Sequence, residues 1–300
     1  YQNRMKLLQL VTYLSNYNNV VNFCMSYKLI SSSKVCPNCG MLMKLTNCQN
    51  IDNLIWRCRI NRCDTKLSIR SGSFFSGSKM HLSKIILFIH LWVNNYPSRL
   101  IIDDFEHATH TVVDWNRFIR EVCVNYYDRN LRNKIGGSNK IVELDETLIV
   151  KRKYNRGRVI KEQWLFGGIC RKQDEHQNFE AFVEFVDDRT ASTLLEIIRR
   201  RIEPGSIIIT DGWRGYNNIR QLGMNHLVII HDENFVDPEN PEVHTQNIEN
   251  LWLCLKRLLR AKGTHRSPHE WEYIAEFLFR KQKKHLFESV IQEIAINYPL

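Results

Sequence analysis

Apolar residues recur along this chain with two different periods, and the change of period divides it. In the second half, short runs of β-branched and aromatic residues bounded by turn residues predict strands at 141–150, 163–171, 179–186, 206–210 and 226–230. Ala191–Arg201 repeats at helical spacing between the third and fourth runs, and Ile248, Leu251, Trp252, Leu255, Leu258 and Leu259 do so after the fifth. Three consecutive strands, then helix and strand in alternation, then a closing helix, predict an α/β domain with a mixed sheet flanked by helices. Upstream, Leu82, Ile85, Ile86, Ile89, Leu91 and Trp92 predict a helix that ends near Pro97. Ser98 is placed to cap a helix over 99–108 and Thr111 one over 112–127, with 107–110 as the turn between them. This is helix-turn-helix spacing, which would set Trp115, Asn116, Arg117 and Arg120 near a DNA groove; a plain three-helix bundle gives the same pattern. The glycine-rich polar stretch 133–140 reads as a boundary. The expected organisation is a helical segment at 1–33, a cysteine-rich module at 34–78, a helical region at 79–132, the sheet domain at 139–287 and a tail at 288–300.

With 43% hydrophobic residues, 300 residues suffice for a sizeable core. A net charge of +10 favours a polyanionic partner, and its clustering says more than the sum. One cluster, Lys151, Arg152, Lys153, Arg156 and Arg158, reads as a hairpin tip with Asn155 and Gly157 as turn residues, or as a solvated loop. Another is Lys256, Arg257, Arg260, Lys262, His265 and Arg266; a third, 280–285, ends a helix, where cations are favoured whatever the ligand. Nine cysteines without a secretory signal argue against a disulfide scaffold and for a reducing, non-secreted setting. The start on Tyr1 rather than Met suggests a fragment. The longest apolar window, 85–93, falls well short of the ~20 residues of a membrane helix.

Three carboxylates stand in settings that call for an explanation. Asp145 lies inside the apolar run 141–145 and Asp211 ends the run 207–211; a lone aspartate in a strand buried on both faces is costly unless something binds it, and a divalent cation would. Glu249 lies on the closing helix, with Lys256 two turns later on the same stripe. Glu143, Asp145 and Thr147 share one face of their strand while Glu146 points to the other, which counts against Glu146; Asp145 is taken as the ligand, with Glu143 as the less favoured helper. Asp187 and Asp188 sit at a strand end leading into a helix, where acids have a structural reason to exist. His231 and His244 flank the loop around 237–241 and are candidates to approach a phosphate or plain hydrogen-bonded loop residues. Two strand aspartates and a helix glutamate are the arrangement by which RNase H-like folds hold two magnesium or manganese ions about 3.5 to 4 Å apart for in-line displacement at phosphorus. Trp213, Arg214 and Tyr216 follow Asp211 and are placed to grip a distorted strand end; core packing is the other reading of Trp213.

Cys36 and Cys39, then Cys58 and Cys63 about twenty residues on, read as the two thiolate pairs of a zinc ribbon, with Cys48 as a substitute ligand. Cys24, Cys123, Cys170 and Cys254 lie in apolar stretches and read as core.

The segments Val142-Glu143-Leu144-Asp145-Glu146-Thr147, Ile209-Thr210-Asp211-Gly212-Trp213-Arg214-Gly215-Tyr216 and His244-Thr245-Gln246-Asn247-Ile248-Glu249-Asn250-Leu251-Trp252, with Lys256-Arg257, resemble those of Merlin-type DDE transposases and of their bacterial relatives, the ISXO-type insertion-sequence transposases. The resemblance runs from about Cys36 to about Lys284 and departs at Gln246, where Asn is usual. It implies an RNase H-like catalytic domain preceded by a zinc ribbon and a helix-turn-helix-like region, and it favours Cys58 and Cys63 over Cys48. The implied activity is cut-and-paste DNA transposition, with Asp145, Asp211 and Glu249 as catalytic ligands of two magnesium or manganese ions and structural zinc in the ribbon. Implied partners are terminal-repeat and target DNA, contacted by Lys256, Arg257, Arg260, Trp213, Arg214, Lys151, Arg152, Lys153, Arg117 and Arg120, and further copies of the chain in the active complex. The location expected is the nucleus in a eukaryotic host and the cytoplasm otherwise. A catalytically silent DNA-binding protein and a nuclease without strand transfer share these features.

Overall fold

The short apolar runs form strands and the stretches of 3.6-residue periodicity form helices in the three-dimensional structure, a computed structural model that describes residues 6–106, 108–150, 162–174, 176–229, 243–263 and 269–300. The chain divides into two compact units, Tyr1–Asn125 with Lys283–Leu300, and Tyr126–Gln282.

In the first unit, α1 (Leu7–Leu14) and α2 (Tyr17–Ser26) precede a three-stranded antiparallel sheet of β1 (Lys44–Asn47), β2 (Leu54–Arg57) and β3 (Lys66–Ser68). A buried ion pair ties this small sheet to its surroundings. Arg70 Nη2 meets Asp52 at 2.5 Å, Tyr17 donates to the same carboxylate, and Arg70 Nη1 donates to the carbonyls of Ser78 and Met80. Each charge is thus fully hydrogen-bonded, the condition under which a buried pair is tolerated.

Three helices follow, α3 (Leu82–Val93), α4 (Ser98–Phe105) and α5 (Thr109–Arg129). Ser98 opens α4 rather than capping it, and Glu106 stops it in the left-handed conformation at φ 53°, two residues before the predicted end. Thr109, not Thr111, opens the long helix, so the connection is shorter than the sequence suggested. Trp115 does not face a groove: it is buried against Phe74, Phe88 and Phe118.

The second unit holds the large sheet. Its strands are β5 (Ile141–Val150), β6 (Gln163–Cys170), β7 (Glu180–Val186), β9 (Ile207–Asp211) and β10 (Asn225–Ile229); β4 (Ile135–Gly136) and β8 (Ile202–Glu203) form a separate short parallel ladder that periodicity does not reveal. The order is β10-β9-β5-β6-β7, with β5, β6 and β7 antiparallel and β9 and β10 joined in parallel to β5. α6 (Ala191–Arg201) covers one face. Its Leu194 and Ile198 pack with Val142, Leu144, Phe166 and Phe182 in the core. α7 (Gln246–Ala261) lies against β5 and β6, and α8 (Glu270–Gln282) follows it. The central strand β5 is therefore buried on both faces, as a near-continuous apolar run requires.

Most of 288–300, read from sequence as a tail, belongs to a helix, α9 (Leu286–Asn297), in the first unit, with Val290, Ile291 and Ile294 buried and the helix packed on α3. Among the described residues no helix is long and apolar enough to cross a membrane.

Candidate active site

Parallel pairing sets the register of the two aspartates. Glu143 of β5 is opposite Ile209 of β9 in the last pair of their ladder, and Asp145 and Asp211 each lie two residues beyond it on these neighbouring strands. The Asp145 carboxyl is largely buried and accepts a hydrogen bond of 3.0 Å from Trp252 Nε1. Burial, followed by the like charges of Glu146 and Asp211, pushes its pKa up to about 7. Glu146 points the other way, toward the fully buried Tyr216, and burial with the Asp211 charge raises it to about 7 as well, against the opposing influence of the Tyr216 hydroxyl and Arg189. Asp211 Oδ1 accepts from the Trp213 amide at 3.0 Å, closing the turn that ends β9.

Trp252 can reach Asp145 because the strand opposite offers no side chain. Gly167 pairs with Asp145 across β5 and β6, and a Cβ there would stand 2.6 Å from Trp252 Cη2 and 3.0 Å from the Phe182 carbonyl. Glycine inside a strand often permits close approach of this kind. Glu249 sits three residues before Trp252, on the adjacent turn of the same side of α7, and its Oε1 accepts from the Thr245 hydroxyl at 2.7 Å. Burial and then Arg260 lower the pKa of Lys256, while Asp145 opposes them.

Glu143 is wholly buried and its oxygens are already engaged. Oε1 accepts from Arg171 Nε and Asn247 Nδ2, both at 2.6 Å, and Oε2 from the amides of Asn247 and Ile248 at 2.9 and 3.0 Å. Arg171 Nη2 also donates to the His244 carbonyl at 2.7 Å.

Residues 135–282, from β4 to the end of α8, match the family model of the ISXO2-like transposase domain. This stretch is an ISXO2-like transposase domain. Two curated proteins are similar to the chain. Male abnormal protein mab-31 of Caenorhabditis elegans is 24% identical over 213 residues, 63% of this chain and 47% of that protein. An uncharacterized transposase-like protein of Haemophilus influenzae is 29% identical over 101 residues, 34% of this chain and 80% of that protein. The chain thus spans about half the length of the nematode relative.

Within the transposase domain the structure brings Asp145 and Asp211 together and sets the helix of Glu249 against them through Trp252. The three carboxylates are not drawn into one tight cluster. Among the described residues, the group of three or more side chains with metal-ligand atoms all within 4.8 Å of one another is Cys36, Cys39, Cys58 and Cys63. In that group Cys36 and Cys63 Sγ are 3.5 Å apart, as are Cys39 and Cys58; Cys48 is outside it. The four-cysteine cluster fits a zinc ribbon, on the donor chemistry of four converging thiols.

Of the basic candidates, Arg257, Arg260 and Arg214 are exposed and Lys256 is half-buried; in the first unit Arg117 is exposed and Arg120 half-buried. Lys151, Arg152, Lys153, His231, His265 and Arg266 lie outside the described residues. Tyr216 is not available to grip a strand, because its ring is fully buried next to Phe166 in the core. Trp213 is 41% exposed and stacks on Arg189, whose guanidinium lies 4.6 Å from the Trp213 ring and 3.9 Å from that of Trp164. Cys254, read as core, is half-exposed. Sequence reasoning missed Arg189, whose role depends on two tryptophans far apart in the chain, Trp164 on β6 and Trp213 in the turn after β9, and passed over Gly167-Gly168, whose place inside an apolar strand was the signal.

Proposed function

We propose that the chain is a DNA transposase, cutting at transposon ends and joining them to target DNA through Asp145, Asp211 and Glu249. The observation that carries this reading is the placement of Asp145 and Asp211 two residues beyond the last pair of neighbouring strands β5 and β9, with the Glu249 helix anchored to Asp145 by Trp252. The strand order β10-β9-β5-β6-β7, three antiparallel strands continued by two parallel ones, supports assigning the domain to the RNase H-like folds.

The donor set suits a hard divalent cation. Its ligand atoms are carboxylate oxygens, and the like charges of Glu146 and Asp211 beside Asp145 are ones that a bound cation would relieve. Magnesium or manganese ions bound there would supply charge neutralisation and activation of the attacking oxygen at phosphorus. The chain's own residues orient and exclude. Trp252 fixes the rotamer of Asp145, Thr245 holds Glu249, and Lys256 brings a cation beside the acids. Arg257, Arg260 and Arg214 are exposed for phosphate contacts, and Trp213 offers a face for stacking. The ribbon would hold structural zinc, and the active complex would contain more than one copy of the chain, working in the nucleus if the host is eukaryotic.

Incubating the protein with linear donor ends and a supercoiled plasmid in magnesium or manganese tests the reading. Joined products that disappear in Asp145→Ala are expected. Cutting without joining would make it a nuclease, and binding without either would make it a silent DNA-binding protein.

A further inference from the structure

The start of α7 is capped from outside the helix. A helix leaves its first amides without intrahelical partners, and the residue before it normally offers a side-chain oxygen to one of them. Thr245 occupies that place and is a residue type well suited to the task, yet its side chain does not cap. The amides are satisfied otherwise. Gln246 N–H donates to His244 Nδ1 at 3.4 Å, Asn247 and Ile248 N–H donate to Glu143 Oε2 at 2.9 and 3.0 Å, and Glu249 N–H donates to the Thr245 carbonyl at 3.1 Å. Glu143 is on β5, two residues before Asp145, so the cap comes from the strand that carries the first acid.

The Thr245 hydroxyl is thereby released for a different contact, its 2.7 Å hydrogen bond to Glu249 Oε1. Arg171 secures the arrangement from the neighbouring strand, binding the Glu143 carboxylate with Nε and the His244 carbonyl with Nη2. A carboxylate with no exposure, saturated by an arginine, an amide side chain and two helix amides, has one low-energy position and defines that of the helix.

We propose that Glu143 and Thr245 are positioning residues for Glu249: Glu143 takes over the capping of α7, and Thr245, relieved of it, orients the Glu249 carboxylate toward the cation site. The inference rests on the reading of Asp145, Asp211 and Glu249 as a divalent-cation site, and it assigns no contact with DNA to either residue.

Manganese binding to the purified chain, followed by titration calorimetry and by the manganese spin-resonance signal, tests it without DNA. Thr245→Val and Glu143→Gln are each expected to weaken binding at the site that Glu249→Gln also weakens, by about 10- to 100-fold, the usual cost of losing a partner behind a metal ligand. Thr245→Ser keeps the hydroxyl and is expected to restore wild-type affinity. In the Glu249→Gln background, Thr245→Val and Glu143→Gln should cost nothing further, because the residue through which they act is already lost. Equal losses with and without Glu249, or no loss in Thr245→Val, would overturn the proposal. The threonine pair keeps the test decisive if Glu143→Gln does not fold. A wild type that binds no manganese would overturn the cation site and this inference with it, and that failure is read in the wild type alone, before any variant.

Discussion

Asp145 carries the tension of the site in a single residue. Its pKa rises from an ordinary 3.8 to about 7, so the folded chain keeps a proton that the unfolded chain gives up between about pH 4 and 7. A raised carboxylate value means that its contribution to stability is present below that window and is lost as the pH climbs through it. Asp145→Asn can still accept from Trp252 and removes the buried charge. Without divalent cations it is expected to melt higher than wild type at pH 8, by roughly 2–4 °C per kcal/mol regained, and to show no advantage at pH 4. Melting curves at the two pH values check this. The strand positions of Asp145 and Asp211 were legible in the sequence from the apolar runs that carry them. The part played by Glu143, in the same run, was not. Its role depends on the amides of Asn247 and Ile248, about a hundred residues later, and on Arg171 from the next strand. Tyr216 misled for the opposite reason, since adjacency to Asp211 says nothing about which side of a short 3-10 turn its ring takes.

At the scale of elements, the contact between β6 and α7 decides whether the helix acid reaches the strand acids. Gly167→Ala would place a methyl group 2.6 Å from Trp252, and overpacking of this kind costs about 1–3 kcal/mol. The variant is expected to lower the urea midpoint and shift tryptophan fluorescence, whereas Gly212→Ala, whose Cβ would meet only the Ile229 carbonyl at 4.0 Å, should stay within about 0.5 kcal/mol of wild type. In the first unit β1, β2 and β3 are short and little buried, so the ribbon depends on what its four thiols hold. Chelation, or Cys58→Ser, should abolish amide protection in β1–β3, read by hydrogen exchange. The strands of the large sheet and α6 were legible to within a residue or so at each end, because one period ran unbroken through each. The ends of α4 and α5 were not, since the two residues read as caps, Ser98 and Thr111, both lie inside the helices they were expected to precede. The two-residue ladder of β4 and β8 is too short to carry a period.

For the whole molecule, a net charge of +10 predicts association with a polyanion but not where. If Arg257 and Arg260 each neutralise a phosphate, replacing both by glutamine should reduce the slope of log affinity against log salt by about 2, with little change in sequence preference. A salt series on duplex DNA reads that slope. The α/β character of the sheet region was legible, since alternating periods announce it, and the structure at the end of the chain was less so. There Val290, Ile291 and Ile294 bury themselves on a helix from far upstream, a partnership that no local pattern contains. The claim on which the account turns is that the paired aspartates cut DNA with a divalent cation. The most direct measurement compares wild type with Asp211→Ala on a labelled duplex carrying the element's own terminal repeat, in magnesium or manganese, at equal DNA occupancy. Wild type is expected to cut at the repeat end only with the cation and the variant not to cut, with binding unchanged. Cutting that survives in Asp211→Ala, or a wild type that binds the repeat and never cuts it with either cation, would contradict that claim.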